Sequence, residues 1–292
     1  MGSNPEVKTY RFKAACSKPK LRRLLEHTSI DMELDVIWLK YDESGLFQKQ
    51  IDSSNVVAVL AKFNKTYFTE YSATDSGEVK ISSNISTIVN KYFKEVDNIE
   101  LVVTDDKVEL HSKNEDYEGL LLNIDLPDFE VEYSETDYGY LPSIQGGVKG
   151  IYGIDSDEWR VKADDIKIYY GNTLKLSITL EEGGTYTRTA KILDKRDVKG
   201  SGVVVLDGKL FKNVIDLFSG PLYLIITEGP VILTQKTVDY TVSYIMAPKA
   251  VPDFQFYSRF SQHTAQQRST GTAYPFNSIL DFHYINSGNT NS

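Results

Sequence analysis

Candidates for acid–base chemistry include the adjacent acidic pairs Asp105-Asp106, Asp164-Asp165 and Glu181-Glu182, four histidines (His27, His111, His263, His283) and one cysteine, Cys16. No two histidines have the spacing of a metal pair such as HExxH, and none neighbours Cys16 in a nucleophilic arrangement. The chain also has no P-loop and no GxGxxG turn. The acidic pairs fall at hairpin turns or element ends, where Asp and Glu are common for local reasons. An enzyme is therefore not expected, and neither a catalytic residue, a metal nor a cofactor is assigned.

The basic residues carry more information. Residues 17–29 (SKPKLRRLLEHTS) hold Lys18, Lys20, Arg22 and Arg23 against a single acid, Glu26, in a chain of net charge −9. Non-specific nucleic-acid affinity comes from neutralising phosphates with Lys and Arg, so the overall charge excludes a protein that simply coats nucleic acid. A basic stripe on an acidic body suits one phosphate-facing surface, its plain alternative being a solvated helix face. Two further amphipathic runs carry lysines three apart, Lys91 and Lys94 in 88–94 and Lys209 and Lys212 in 209–215.

Strands must hold these basic runs in place. A strand at 9–15 leads into a helix that Ser17 can cap, with Pro19 in its first turn and Leu21, Leu24 and Leu25 on one side. Strands at 34–41, 46–52 and 56–63 follow, then a helix at 85–96, a hairpin at 99–110 (IELVVTDDKVEL) and a strand at 119–126. That hairpin recurs at 222–233 (LYLIITEGPVIL): Leu101 falls on Leu224 and Val108 on Val231, an offset of 123 positions in both cases. Self-similarity at a fixed offset is a fold-level signal.

Between the halves, 126–142 is acidic and bracketed by prolines, which marks a connector. In the second half, glycines at 146, 147, 150 and 153 confine the first helix to about 156–162, because each interior glycine costs a helix about 1 kcal/mol. Strands at 166–170, 174–180, 186–193 and 240–246 and a helix at 209–218 complete it. The result is an α+β chain of two tandem domains, 1–125 and 143–250, followed by an extension at 251–292.

With 292 residues and 41% hydrophobic content, each domain can bury a core. The lone cysteine forms no internal disulfide. No apolar run is long enough to span a membrane, and no signal-type segment is present, so an intracellular chain with no membrane partner is expected.

Residues 45–56 (GLFQKQIDSSNV) resemble the signature of the proliferating cell nuclear antigen (PCNA) family of DNA sliding clamps, and 244–249 (YIMAPK) resemble its terminal strand and Ala-Pro-Lys tail. Together with the order of elements and the acidic connector, the resemblance covers about residues 8–250. It implies two clamp domains per chain and a head-to-tail homotrimeric ring, with helices lining the hole and antiparallel sheets outside. Double-stranded DNA would be encircled without sequence specificity, and Lys18, Lys20, Arg22, Arg23, Lys91, Lys94, Arg160, Lys162, Lys209 and Lys212 would face it.

Short clamp-binding peptides of a DNA polymerase, clamp loader, ligase or nuclease would dock at Ile51, Asn55, Ala58, Leu126, Ala247, Pro248 and Lys249. Subunits would meet through Tyr117, Leu120 and Leu122 on one edge and Tyr186, Arg188 and Lys191 on the other. The compartment would be the cytoplasm or nucleoid in an archaeon and the nucleus in a eukaryotic or viral setting. A subunit of a heterotrimeric checkpoint or transcription clamp, or another DNA-associated scaffold, is the alternative. Asn55 stands where many members have His, and 251–292 has no counterpart in the family. Within that extension, 277–284 loosely follows the spacing of a clamp-binding peptide.

Overall fold

The computed structural model describes residues 10–30, 34–52, 56–93, 98–105, 107–114, 117–125, 147–179 and 183–249, with backbone alone at 113–114 and 117–125. The described residues within Met1–Glu132 together with Asp239–Ser243 form one compact unit. Those within Tyr133–Val238 together with Tyr244–Ser292 form another.

The first unit runs β1 (Phe12–Ser17), α1 (Lys18–Ser29), β2 (Val36–Asp42), β3 (Gly45–Ile51), β4 (Val57–Asn64), β5 (Glu70–Ala73), β6 (Gly77–Ser82), α2 (Ile85–Tyr92), β7 (Asn98–Val103), β8 (Lys107–Asn114) and β9 (Tyr117–Asp125). Its strands order as β5-β1-β7-β8-β9 and β6-β2-β3-β4. The second runs β10 (Val148–Asp155), a 3-10 turn (Ser156–Trp159), β11 (Asp165–Tyr170), β12 (Lys175–Thr179), β13 (Thr185–Thr189), β14 (Asp194–Arg196), β15 (Gly202–Asp207), α3 (Gly208–Asp216), β16 (Pro221–Thr227), β17 (Val231–Lys236) and the end of β18 (Tyr240–Met246), whose residues up to Ser243 count with the first unit. Its orders are β14-β10-β16-β17-β18 and β15-β11-β12-β13. Strand for strand, the second list repeats the first, and all the registered pairings are antiparallel.

The repeat holds down to register. Leu101 pairs with Leu110 and Val103 with Val108 in the first hairpin, while Leu224 pairs with Leu233 and Ile226 with Val231 in the second. All four positions shift by the same 123. A one-residue slip would turn each strand's apolar set to the wrong face, so the shared core pattern enforces the shared register.

In the first unit, Leu21, Leu24 and Leu25 of α1 and Ile85 and Val89 of α2 are buried with Phe12, Cys16, Leu101 and Leu110, and α1 packs beside α2. Ser17 occupies the N-cap position of α1 in extended conformation, but its side chain makes no capping hydrogen bond. Instead, the other end of the helix is tied down from the strands. Gln48 on β3 donates to the Thr28 carbonyl (2.7 Å) and to Gln50 (2.8 Å), whose amide donates to the Val36 carbonyl. The network joins β3 to the end of α1 and to β2 through its amide donors, while the buried Gln48 Oε1 is left without a partner among the described residues.

In the second unit the expected helix at 156–162 is a single 3-10 turn, and the glycine-rich stretch before it is strand β10. The glycines suit a strand closely approached by its neighbour. A Cβ on Gly153 would lie 3.0 Å from the backbone nitrogen of Asp194 on β14. Trp159 fills the space, fully buried with its ring 6.2 Å from that of Phe211 on α3. Helix α3 is capped by Asp207, which accepts from Leu210 N–H at 2.9 Å. Gly208 follows because a Cβ there would meet the Ala163 carbonyl oxygen at 1.9 Å.

Other boundaries shift. Helix α2 stops at Tyr92 rather than 96, since Phe93 leaves helical geometry (φ −104°, ψ 46°). The strand expected at 186–193 is β13, which ends at Thr189, and β14 starts only at Asp194, beyond the expected range. Strands β5, β6 and β15 lie where the sequence reading placed none.

Candidate functional site

Helix burial sorts the expected phosphate contacts. Because Leu21, Leu24 and Leu25 face inward, Arg22 and Arg23 project from the opposite face of α1 and are exposed. Arg22 pairs with Glu26 one turn on (2.5 Å), a surface contact worth a few tenths of a kcal/mol. Lys91 is exposed on α2, 4.9 Å from the centre of the Tyr92 ring. Lys209 is exposed in the first turn of α3.

Other members of the set are committed elsewhere. The Lys20 ammonium donates to the Tyr67 carbonyl at 2.9 Å, lies 5.0 Å from the centre of that ring and 3.9 Å from Asp239. Arg160 donates to the Phe218 carbonyl at 2.8 Å and pairs with Asp157 at 3.1 Å. Lys212 bonds Asp216 on the next turn of α3. Lys18 is partly buried at the start of α1, and Lys162 is exposed in the segment after Trp159. Lys94 lies outside the described residues. Tyr92, half exposed beside Lys91, is an interface candidate the sequence reading did not name; Val89 and Tyr92 share one helical stripe, which reads as core.

Of the expected peptide-docking residues, Ile51 and Ala58 are register partners across β3 and β4, with Ala58 buried. The Asp52 carboxylate accepts from Val56 and Val57 N–H, both at 2.7 Å. Asn55 and Leu126 lie outside the described residues. Ala247 and Pro248 are partly buried after β18. Lys249 is anchored: its N–H donates to the Val205 carbonyl at 2.8 Å, and its ammonium sits 2.6 Å from Asp165 and 3.1 Å from Asp207. The hydrogen bonds to these two carboxylates hold its pKa above the ordinary lysine value.

The expected subunit contacts sit on edges. Tyr117, Leu120 and Leu122 belong to β9, at the end of its sheet order, and Tyr186 and Arg188 to β13, at the end of another. Lys191 lies just past β13 and is exposed. Tyr186 is 52% exposed although its register partner is the buried Ile178, so its ring stands on the core-side face at an uncovered rim.

The residues first weighed for catalysis have local roles. Asp105 pairs with Arg11 at 2.7 Å and Asp165 with Lys249. His111 bonds Glu109 at 3.0 Å, with its other ring nitrogen 3.6 Å from Glu100. Burial pushes the Cys16 thiol up to about 12, leaving it protonated, and burial, with help from Arg23, pushes His27 down to about 3, leaving it neutral. Asp106, Glu181, Glu182, His263 and His283 are outside the described residues, as is the 277–284 segment. Among the described residues no three His, Cys, Asp or Glu side chains gather as a metal-holding group, and no helix is long and apolar enough to cross a membrane.

Two successive α+β units built on one topology, each with an antiparallel hairpin after its second helical position, define the fold as that of a sliding clamp. The likeness is to PCNA structures. That from Entamoeba histolytica is 17% identical over 83% of this chain and all of its own, with a TM-score of 0.69. PCNA from Thermococcus kodakaraensis is 12% identical over 82% of this chain and all of its own, at 0.66. A. fulgidus PCNA, in a structure with the C-terminal region of FEN-1 bound, is 14% identical over 82% of this chain and 99% of its own, at 0.64. No family model and no curated protein matches the sequence.

Proposed function

We propose that this chain is a DNA sliding clamp, a non-enzymatic processivity factor that encircles duplex DNA as a homotrimer and tethers polymerases and other replication or repair enzymes. The observation that carries the reading is the placement of Arg22, Arg23, Lys91 and Lys209 on the solvent faces of helices in a duplicated clamp fold whose net charge is −9. A ring closed around DNA needs no tight contact, only weak, salt-sensitive, sequence-independent phosphate contacts that permit sliding. The positions of β9 and β13 at the ends of their sheet orders suit head-to-tail closure, because a strand edge left unpaired is a template for another chain. The peptide-docking reading draws support from the FEN-1 segment on the A. fulgidus relative.

The test is retention on primed circular DNA, before and after linearisation, with the chain loaded by a clamp loader. A topological clamp stays on the circle and runs off the free ends; equal retention on both overturns the reading. Light scattering of the isolated chain separates a homotrimer from a subunit that needs sister chains, since the latter stays monomeric at every concentration.

A further inference from the structure

Trp38 and Phe47 share one side of the sheet run β6-β2-β3-β4, and that side carries a charge opposite to that of the whole chain. Leu39, Tyr41, Leu46 and Gln48 are buried, with Gln48 bonded to the end of α1, so alternation turns Trp38, Lys40, Phe47 and Lys49 away from that helix. Register carries the same side onto the flanking strands. Lys80 and Glu78 on β6 pair with Trp38 and Lys40, Lys40 pairs with Phe47, and Phe47 pairs with Lys62 on β4. Lys40, Lys49 and Lys62 are exposed and Lys80 partly so. Four lysines are thus set against Glu78 and Asp42 on one side of a chain whose net charge is −9.

Two aromatic rings stand inside this cationic field. Trp38 and Phe47 are diagonal neighbours on adjacent strands, roughly 7–8 Å apart, and both are partly exposed. The Lys80 ammonium lies 5.7 Å from the centre of the Trp38 ring and the Lys62 ammonium 5.2 Å from that of Phe47. Each ring therefore has a cation beside it. Adjoining Phe47, a cavity of about 570 Å³ has Lys40, Asp42 and Glu78 in its lining.

The pattern is not a property of the fold. On the equivalent side of the second unit's sheet, β11 and β12 present Lys167, Tyr169, Lys175 and Ser177, and β13 presents Thr187 and Thr189. One ring replaces two, and the outer strand offers threonine instead of lysine.

We propose that this side of the first unit binds single-stranded DNA. Bases stack on Trp38 and Phe47, phosphates are drawn to Lys40, Lys49, Lys62 and Lys80, and the cavity takes the edge of one base, whose N–H groups meet Asp42 and Glu78. Aromatic rings set among cations hold a single strand without reading its sequence, because every base has a face to stack. A duplex keeps its bases stacked on one another and leaves the rings nothing to hold. Rings and lysines engage base and phosphate alone, so no 2′-hydroxyl is needed. The site is independent of duplex encirclement: it requires neither a ring nor a clamp loader, and neither result decides the other.

The test uses the full chain and a short oligothymidylate at low salt. The chain has two tryptophans and Trp159 is fully buried, so quenching of the emission reports Trp38. Oligothymidylate should quench it saturably, and Trp38→Phe should lose the quench while still binding a fluorescein-labelled strand. Phe47→Ala should weaken binding about fivefold or more, the loss of one stacked base. Lys40→Gln with Lys49→Gln and Lys62→Gln, all at exposed positions and so safe for folding, should flatten the slope of log affinity against log salt by about 2, at about 0.7 per single-strand phosphate contact. Lys167→Gln with Lys175→Gln in the second unit should change neither quench nor slope. Absence of quenching, or equal slope changes from the two lysine sets, overturns the inference. So does stronger quenching, at equal concentration, by a duplex of the same length, by oligouridylate, or by an acidic peptide of alternating Glu and Phe, each of which assigns the face to another partner.

Discussion

Under the clamp reading, replacing Arg22 and Arg23 by Gln, set beside Lys20→Gln, separates cations proposed to reach phosphate from a cation that holds the fold. All three lie within four residues of α1 and remove comparable charge. The structure makes opposite predictions for them. Arg22 and Arg23 lie on the exposed face, whereas the Lys20 ammonium is bonded to the Tyr67 carbonyl and sits over its ring. Each phosphate contact contributes about 0.9 to the slope of log affinity against log salt. Losing two contacts per engaged protomer flattens that slope by about 1.8, which shrinks the affinity ratio between 50 and 200 mM salt by roughly 12-fold. Fluorescence anisotropy on a short linear duplex reads this directly. Lys20→Gln leaves the slope unchanged and instead lowers stability by about 1 kcal/mol, since it loses a charge-assisted but part-exposed bond. The double variant gives up the Arg22–Glu26 surface pair, about 0.3–0.5 kcal/mol, and the hydrogen bond between the Arg23 side chain and Tyr240. If Lys20→Gln flattens the slope as much as the double variant does, the assignment of the α1 face is wrong.

Three further outcomes follow from named contacts. The His27 imidazole is neutral in the folded chain down to about pH 3, while unfolded it binds a proton near 6.5. Stability is therefore full above 6.5 and falls as pH drops, by roughly 2 kcal/mol between 6.5 and 5. His27→Leu should remove that slope in urea unfolding at pH 7 and 5, and identical slopes in the two chains would refute the linkage. Burial works to raise the Asp207 carboxyl, but the Leu210 amide and the Lys249 ammonium outweigh it and hold it below its ordinary value. A depressed folded pKa contributes stability that is present above the unfolded value and lost below it, so Asp207→Ala should cost about 1 kcal/mol at pH 7 and less below about pH 4. Under the ring reading, Lys191→Glu just past β13 should lower the mass seen by light scattering at fixed concentration without shifting the melting temperature by more than about 2 °C, because Lys191 is exposed and an exposed side chain contributes little to a protomer's own core. An unchanged mass counts against that edge as the contact.

Elements with a strong period were readable from sequence. Both hairpins and β18 carry alternating apolar residues, and the offset of 123 recurs in the register itself. Strand β5, with no fully buried residue, leaves no alternation to detect. Glycines in β10 were read as helix breakers inside a helix because spacing alone does not reveal that β14 packs against Gly153. The site was half legible for a similar reason. Charge runs identify α1, α2 and α3, but only a tertiary contact distinguishes Lys20 from Arg22. The Tyr67 carbonyl that holds Lys20 is 47 residues away in sequence.

The two units share a topology and differ most at one position, and that difference decides where phosphate contacts can come from. Between the first two strands, the first unit has a twelve-residue helix with three leucines inward and two arginines outward. The second has a four-residue turn that plugs the same topological position with Trp159. A single turn has no opposite face on which to mount a basic stripe, and the nearest cation, Arg160, is spent on the Phe218 carbonyl and Asp157. Lys209 on α3 is then the main exposed helical cation of the second unit. Under the clamp reading, DNA is therefore held more strongly by the first unit than by the second, so Lys209→Gln should flatten the salt slope by about half as much as the α1 double variant.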